Sequence, residues 1–257
     1  MEPVSFELVQ PHVALITIQR PEARNAVDDG VAWALDAAVK RVENDPEIRA
    51  AILTGAGGVA FCAGADLKQV AQGGLDGLYT PDGAFAGFVQ HPRSKPWIAA
   101  VEGFAMAGGC ELALACDLII ASEQSVFSLP EVTRGLIAAA GGAYRIVRAL
   151  PRAIALELIA TGAQLPAHRA AALGLINHLT AQGQALAGAI EVAQRIAANA
   201  PIAVQESLQL ARRAYDLDDL TLFDMGLAAQ ERIKLTEDFS EGPRAFIEKR
   251  EPNWQGR

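Results

Sequence analysis

The residues with the greatest capacity for chemistry stand in a glycine turn. In AMAGGCEL, residues 105–112, Gly108 and Gly109 directly precede a predicted helix, and Glu111 lies in its first turn. Glycine has no Cβ, so a reacting group can approach the backbone closely. The free N–H groups at a helix N-terminus favour negative charge. An oxygen that becomes anionic during a reaction would therefore be stabilised there, next to a carboxylate.

A purely structural explanation of this turn also has to be considered. Acidic residues are common in the first turn of a helix because the helix dipole stabilises them. Paired glycines are common in turns of every kind. The turn alone therefore leaves both explanations open, and a second stretch is needed to choose between them.

The second stretch is GAGGVAFCAGADLKQV, residues 55–70, which follows the apolar strand predicted over Ala50–Thr54. Gly55, Gly57 and Ala60 formally fit the looser dinucleotide fingerprint, in which a glycine turn opens a helix. The context is wrong, because FCAG interrupts the expected helix and no acidic residue ends a second strand at the expected distance. The sequence thus argues against a dinucleotide site.

Motifs in a fixed order along nearly the whole chain resemble the crotonase (enoyl-CoA hydratase/isomerase) superfamily. They are RPEARNA at 20–26, FCAGADLK at 61–68, GGCEL at 108–112, LPE at 129–131 and EGPRAFIEKR at 241–250. The chain end, 241–257, is similar to the carnitinyl-CoA dehydratase branch. Because the motifs occur in order over nearly the whole chain, together they indicate the superfamily far more strongly than any single motif would.

The resemblance implies chemistry on an acyl-CoA thioester. The backbone N–H groups of Ala65 and Gly108 would stabilise the enolate oxygen, each by about 3 kcal/mol in the transition state. Glu131 would transfer the proton at the α carbon, and Glu111 would activate water, their pKa values being driven apart by burial and mutual repulsion. The structural alternatives are a packed loop alanine at 65 and a surface acid at a helix start for Glu131.

The resemblance also implies where the coenzyme A part of the substrate binds. The predicted contacts are Arg24, Ala26, Ala63, Asp66, Leu67 and Lys68, with Phe246 and Lys249 reaching the adenosine end across a subunit boundary. A lysine or arginine next to a turn is usually only a solvated charge, so Lys68 and Arg24 remain open to that explanation. Coenzyme A is part of the substrate, and we expect no separate cofactor.

Composition narrows the classes of partner. The net charge of −8 argues against nucleic acid as a main partner. The sequence contains no run of eighteen apolar residues that could span a membrane, and the N-terminus lacks the pattern of a secretion signal.

Cys62, Cys110 and Cys116 have neither zinc-site nor disulfide spacing, which indicates a reducing cytoplasm. No histidine pair has metal-ligand spacing, so we expect no metal.

The predicted architecture is α/β, because strands and helices alternate up to about residue 130 and helices dominate afterwards. We expect a hairpin over 5–19, a helix from Asp28 to about Glu43, a flexible loop over 73–83 and a helix over 85–91. Further helices are predicted at about 142–149, 152–161, 166–173, 183–199, 202–214 and 218–235. The resemblance implies a crotonase-like spiral of ββα units over 1–200 and a helical segment over 201–257, in a homotrimer or a dimer of trimers.

Four positions depart from the pattern of many relatives. Glu102 stands in place of asparagine, and Ala107 in place of a third glycine. We expect the turn to survive the second change because Gly108 is intact. Ala138 and Ala139 replace Pro-Gly, which predicts a more helical pocket wall after Glu131.

These observations favour an enoyl-CoA hydratase that adds water across the 2,3 double bond of an enoyl thioester. An enoyl-CoA isomerase or a carnitinyl-CoA-type dehydratase is the alternative within the superfamily. A non-catalytic acyl-CoA-binding protein is the alternative from another class, although a binder has no need of two buried acids.

Overall fold

Two larger β-sheets and a two-stranded hairpin make up the β-structure, and from β3 to β10 the chain passes repeatedly between the two larger sheets. The computed structural model describes residues 2–257. The strands are β1 Val4–Gln10, β2 Val13–Ile18, β3 Ala50–Gly55, β4 Ala60–Cys62, β5 Tyr79–Thr80, β6 Ala84–Phe85, β7 Trp97–Val101, β8 Phe104–Met106, β9 Leu118–Ser122, β10 Val126–Ser128, β11 Leu165–Pro166 and β12 His178–Thr180.

Helices cover both sheets and dominate the second half of the chain. The α-helices are α1 Asp29–Asn44, α2 Leu67–Ala71, α3 Gly108–Ala115, α4 Gly142–Ala149, α5 Arg152–Thr161, α6 Ala167–Ala172, α7 Ala185–Ala197, α8 Pro201–Arg212, α9 Asp219–Lys234 and α10 Glu237–Glu248. Short 3₁₀ helices span Pro21–Ala23, Asp76–Leu78 and Glu131–Arg134.

The chain repeats a strand–strand–helix unit. The larger sheet has the order β1-β2-β3-β7-β9-β12, and the smaller has β11-β10-β8-β4. β3, β7 and β9 of the larger sheet are each followed directly by β4, β8 and β10 of the smaller sheet. The long strands from β2 to β12 are parallel, whereas β1 is antiparallel to β2. The repeat is the spiral of ββα units that the resemblance implies.

The central strands read as continuous apolar runs because both faces of the larger sheet are buried. On β2, Ile16 and Ile18 face the main core with α1, whereas Leu15 faces α7. Helix α7 presents a stripe of small residues to this second face at a spacing of four: Ala189, Ala193 and Ala197. Alanines at this spacing allow the helix to approach the sheet closely.

The helices predicted between 142 and 235 all form, with boundaries within two residues of those expected. The helix predicted over 85–91 is wrong. Residues 84–85 form β6, and Ala86 (φ 58°) and Gly87 (φ 63°) lie outside the right-handed helical region. The Gln90 N–H donates to the Gly83 carbonyl at 3.0 Å, which closes the segment on itself as a set of turns.

Two further expectations need correction. The loop predicted over 73–83 instead contains a 3₁₀ helix and strand β5. The wall after Glu131 is not more helical, because Gly135 at φ 69° ends the 3₁₀ helix and an irregular segment continues to Gly141 at φ 109°. Strands β11 and β12 and helix α10 were not predicted.

Candidate active site

The two predicted amide donors lie on loops that touch at the backbone. Gly64 has φ 93°, and a Cβ placed on it would lie 2.9 Å from the Gly108 nitrogen. Only glycine fits this contact without strain. Within residues 2–257, neither the Ala65 N–H nor the Gly108 N–H donates to another backbone carbonyl. The structure therefore brings two unengaged amides, from loops more than forty residues apart, into one neighbourhood.

Ala107 holds the turn that presents Gly108. Its N–H donates to the Ser128 carbonyl at 2.9 Å, and its own carbonyl accepts the Glu111 N–H at 3.1 Å. Ala107 has φ 50° and ψ −126°, a conformation that glycine adopts more readily than alanine. Helix α3 still begins at Gly108, so the change from glycine to alanine leaves the turn in place.

Glu111 projects from the first turn of α3 and is only 4% exposed. Its Oε1 accepts a hydrogen bond from the Gly142 N–H at 2.8 Å. Burial raises the pKa of Glu111 to about 7, and the charge of Glu131 adds to this rise, while the Gly142 N–H and Arg145 oppose it. The carboxyl group can thus gain or lose a proton near neutral pH, as a general acid or base requires.

Glu131 begins the 3₁₀ helix Glu131–Arg134, directly after Pro130, and is 8% exposed. Its Oε2 is buried without a hydrogen-bond partner in the described chain. Burial raises the pKa of Glu131, although its own backbone N–H and the charge of Arg134 oppose the rise. A buried carboxyl oxygen without a partner is costly, so this oxygen is available to a ligand. The structural alternative of a surface acid at this position does not fit the structure.

An aromatic wall beside Gly108 was missed by the sequence analysis. A Cβ placed on Gly108 would lie 2.6 Å from two carbons of the Phe85 ring. The Tyr79 ring packs edge-on against Phe85, with ring centroids 5.7 Å apart and planes at 66°. The signal was present in the sequence: Pro81, Asp82 and Gly83 form a typical turn between two short strands.

The loop predicted to hold coenzyme A is joined to the loop that carries Ala65. The Ala63 N–H donates to the Arg24 carbonyl at 3.0 Å. Arg20 pairs with Asp66 at 3.0 Å and donates to the Ala26 carbonyl at 2.6 Å. Asp66 and Ala26 are thus engaged in holding the two loops together, besides any contact with a ligand.

The remaining predicted contacts on these loops are open to solvent. Arg24 and Lys68 are exposed, and so is Leu67 at the start of α2. Asp66 caps α2, because its Oδ1 accepts the Lys68 backbone N–H at 3.0 Å. The two cations are therefore placed near the loop junction with their side chains accessible.

Phe246 and Lys249 lie on the exposed side of α10 and just beyond it. Phe246 is 85% exposed. The hydrogen bonds of α10 lead to the C-terminal segment, where Glu241 pairs with Arg250 and accepts the Asn253 N–H at 2.8 Å. The single chain thus does not bring Phe246 and Lys249 to the other predicted contacts.

Other kinds of site find little support in residues 2–257. No group of three or more His, Cys, Asp or Glu side chains is arranged to hold a metal ion there. All three cysteines are free, and burial raises the pKa of Cys62 and of Cys116 to about 12. None of the helices in this part of the chain is long and apolar enough to cross a membrane.

Comparison with known proteins gives consistent results. The family model described as enoyl-CoA hydratase/isomerase matches residues 9–257. The chain is 41% identical to an enoyl-CoA hydratase, EchA19, of Mycobacterium tuberculosis, with 96% of this chain and 94% of the relative covered. It is 38% identical to a carnitinyl-CoA dehydratase of Salmonella heidelberg, with 94% of each covered. The crystal structure of an enoyl-CoA hydratase from Mycobacterium tuberculosis H37Rv superposes with a TM-score of 0.95, at 42% identity over the full length of both chains.

Proposed function

Because the chain belongs to the enoyl-CoA hydratase/isomerase family, we propose that it adds water across the 2,3 double bond of an enoyl-CoA thioester. The family resemblance and the α/β spiral predicted from the sequence are confirmed by the family model and by the superposed crystal structure. The observation that carries the proposal is the pair of buried acids, Glu111 and Glu131, beside two unengaged backbone amides.

The amides of Ala65 and Gly108 form the oxyanion hole. Attack of water at the β carbon moves an electron pair through the former double bond onto the thioester oxygen. Two N–H donors preorganised around that oxygen stabilise the resulting enolate more than the neutral ground state, so the barrier falls. The close approach of Gly64 to the Gly108 nitrogen supports this role because it brings the two loops together at the backbone.

The two acids divide the proton transfers. Glu111 in its ionised form takes a proton from the attacking water, and Glu131 in its protonated form delivers a proton to the α carbon of the enolate. One hydrogen of the water stays in the new hydroxyl group, and the other passes from Glu111 back to Glu131, so one water molecule is consumed and both acids return to their starting states. Burial raises the pKa of Glu111 to about 7 and also raises the pKa of Glu131, so the Glu111 carboxyl can change its protonation state near neutral pH.

The coenzyme A part binds along the two joined loops. Arg24 and Lys68 offer exposed cations for its phosphates. Ala63 and Asp66 line the bend where its pantetheine part enters, and Ala26 and Leu67 are further contacts. Phe246 and Lys249 of a neighbouring subunit contact the adenosine end. The reaction needs no cofactor besides the coenzyme A of the substrate, because proton transfer and oxyanion stabilisation complete the chemistry.

We place the subunit contacts in a homotrimer or a dimer of trimers, through the segment 201–257. Supporting this assignment, α9, α10 and their junction expose large apolar side chains: Leu220, Phe223, Leu227, Leu235, Phe246 and Ile247. Exposed apolar surface of this extent marks an interaction surface. Gel filtration with light scattering distinguishes the two assemblies.

The three free cysteines support a reducing compartment, the cytoplasm.

The test is turnover of crotonyl-CoA and longer enoyl thioesters in water labelled with oxygen-18. We expect loss of the conjugated absorbance and one labelled oxygen at the β carbon of the product. A product with a displaced double bond and no label would establish an isomerase instead. Tight binding with no turnover across the panel would establish an acyl-CoA-binding protein.

A dehydratase of the carnitinyl-CoA type is the second candidate, favoured by the 38% identity to such a relative. Its chemistry is the same reaction in the opposite direction on a different acyl group. Comparing kcat/KM for crotonyl-CoA with that for carnitinyl-CoA decides between the two.

A further inference from the structure

The hairpin of β5 and β6 is held rigidly against α1. The Thr80 hydroxyl donates to the Asp36 carboxylate at 2.7 Å and accepts the Gly83 N–H at 3.1 Å. Leu78, directly before the hairpin, is fully buried. The residue between them, Tyr79, therefore has a fixed backbone, although it lies in a stretch whose sequence suggests a mobile loop.

These anchors place the Tyr79 ring beside Phe85, which borders the turn that begins α3. It packs on Phe85 with the ring centroids 5.7 Å apart, and Phe85 in turn lies against Gly108. Only one aromatic ring thus separates Tyr79 from the amide assigned to the oxyanion hole. Such edge-on pairs have a preferred geometry, which restricts where the phenol group can point.

The Tyr79 hydroxyl has no partner among the described residues, unlike the Tyr144 hydroxyl, which accepts a hydrogen bond from Gln90 at 2.8 Å. The ring is partly exposed. Burial raises the pKa of Tyr79, and the charge of Glu111 adds to the rise. The phenol is therefore a neutral hydrogen-bond donor near pH 7, and within the described chain Glu111 does not accept a hydrogen bond from it.

We propose that the Tyr79 hydroxyl donates a hydrogen bond to the oxygen that is added to, or eliminated from, the β carbon of the substrate. The inference rests on the proposed hydration, in which Glu111 holds that same oxygen. During elimination the oxygen gains electron density as the carbon–oxygen bond breaks. A neutral O–H donor stabilises this change, whereas a second carboxylate would oppose it.

Tyr79→Phe removes the hydroxyl and keeps the ring contact with Phe85. We expect kcat for hydration of crotonyl-CoA to fall about tenfold, the loss of one hydrogen bond in the transition state. The KM for 3-hydroxybutyryl-CoA in dehydration should rise several-fold, whereas the inhibition constant of butyryl-CoA, which lacks the oxygen, should stay within about twofold of the wild-type value. Tyr215→Phe, at a 76% exposed tyrosine, is the matched control and should change none of the three.

Three outcomes overturn the inference. Wild-type kinetics in Tyr79→Phe would show that the hydroxyl does not contact the reacting oxygen. Equal weakening of butyryl-CoA and 3-hydroxybutyryl-CoA would show that it contacts the acyl chain or only supports the fold. A wild-type protein that hydrates no thioester in the panel overturns the proposed function and this inference together, so the two failures are distinguishable.

Discussion

Glu111 and Glu131 are both buried acids, yet the segments that carry them differ in how firmly they hold the carboxyl group. Glu111 stands on an α-helix in the core, and its Oε1 accepts the Gly142 N–H. Glu131 stands on a single 3₁₀ turn that runs into an irregular segment with exposed apolar side chains, and its Oε2 has no partner in the described chain.

This difference suggests how a pair of identical side chains can perform two roles. An acid held by a hydrogen bond from the backbone keeps one orientation and can position a water molecule. An acid with an unpartnered buried oxygen pays a desolvation penalty that a proton or a substrate relieves. The Gly142 N–H therefore favours the ionised form of Glu111 against the burial that raises its pKa to about 7, and the unpartnered oxygen of Glu131 is left for the substrate.

The largest effect is expected at Glu131. Glu131→Gln keeps the shape but has no acidic proton for the α carbon, so kcat for crotonyl-CoA should fall about 10³-fold with little change in KM. Steady-state kinetics checks this, with Glu123→Gln, at an exposed acid, as the matched control. A loss seen in KM alone would show that Glu131 only binds substrate.

A smaller loss is expected at Glu111. Glu111→Gln still accepts the Gly142 N–H through its amide oxygen but cannot take a proton from water, so kcat should fall about 10²-fold. The increase of the wild-type rate through about pH 7 should disappear in this variant, because that increase reports ionisation of Glu111. A pH–rate profile measures both, and an unchanged profile would contradict the role.

The burial of Glu111 should also be visible in stability. Its pKa is about 7 in the folded chain and 4.5 as the ordinary value, so the folded state binds more protons between these values and stability falls as pH rises through them. Glu111→Gln should remove this loss. The free energy of unfolding of the variant, relative to that of the wild type, should therefore rise by on the order of 3 kcal/mol from about pH 4.5 to pH 8. Urea unfolding at both pH values tests this, and an equal difference at both would contradict it.

The smallest effect is expected at Ala107, whose backbone links helix α3, which carries Glu111, to strand β10, which leads to Glu131. Ala107 bonds to both Ser128 and Glu111 through its backbone, at φ 50°. Ala107→Gly should raise the free energy of unfolding by about 1 kcal/mol, because glycine adopts this conformation without strain, and should leave kcat unchanged. Ala163→Gly, at an alanine without positive φ, should be neutral or destabilising. A loss of stability in Ala107→Gly would show that the turn is not strained.

The fold could be predicted where local patterns and the family motifs agree. The apolar strand over Ala50–Thr54 and the helices between 142 and 235 were expected and are observed. The burial of Glu111 and Glu131 was expected only through the resemblance, because an acid in a first turn is usually exposed.

The rest depends on contacts that a single stretch of sequence does not contain. The helix predicted over 85–91 fails because Phe85 packs on Gly108 and Tyr79, which forces a hairpin. The short strands β11 and β12 each gain their hydrogen bonds from distant strands, β10 and β9. Tyr79 was not predicted as a site residue because its surroundings include residues of α1 and α3, which are distant from it in the sequence.

The division of work between the two acids is tested most directly by deuterium exchange at the α carbon of butyryl-CoA in D₂O. This saturated thioester forms the enolate but has no double bond to hydrate, so exchange needs the amides and Glu131 without Glu111. The account predicts exchange in Glu111→Gln within a few-fold of the wild-type rate and none detectable in Glu131→Gln. Exchange that persists in Glu131→Gln, or is abolished in Glu111→Gln, would contradict it.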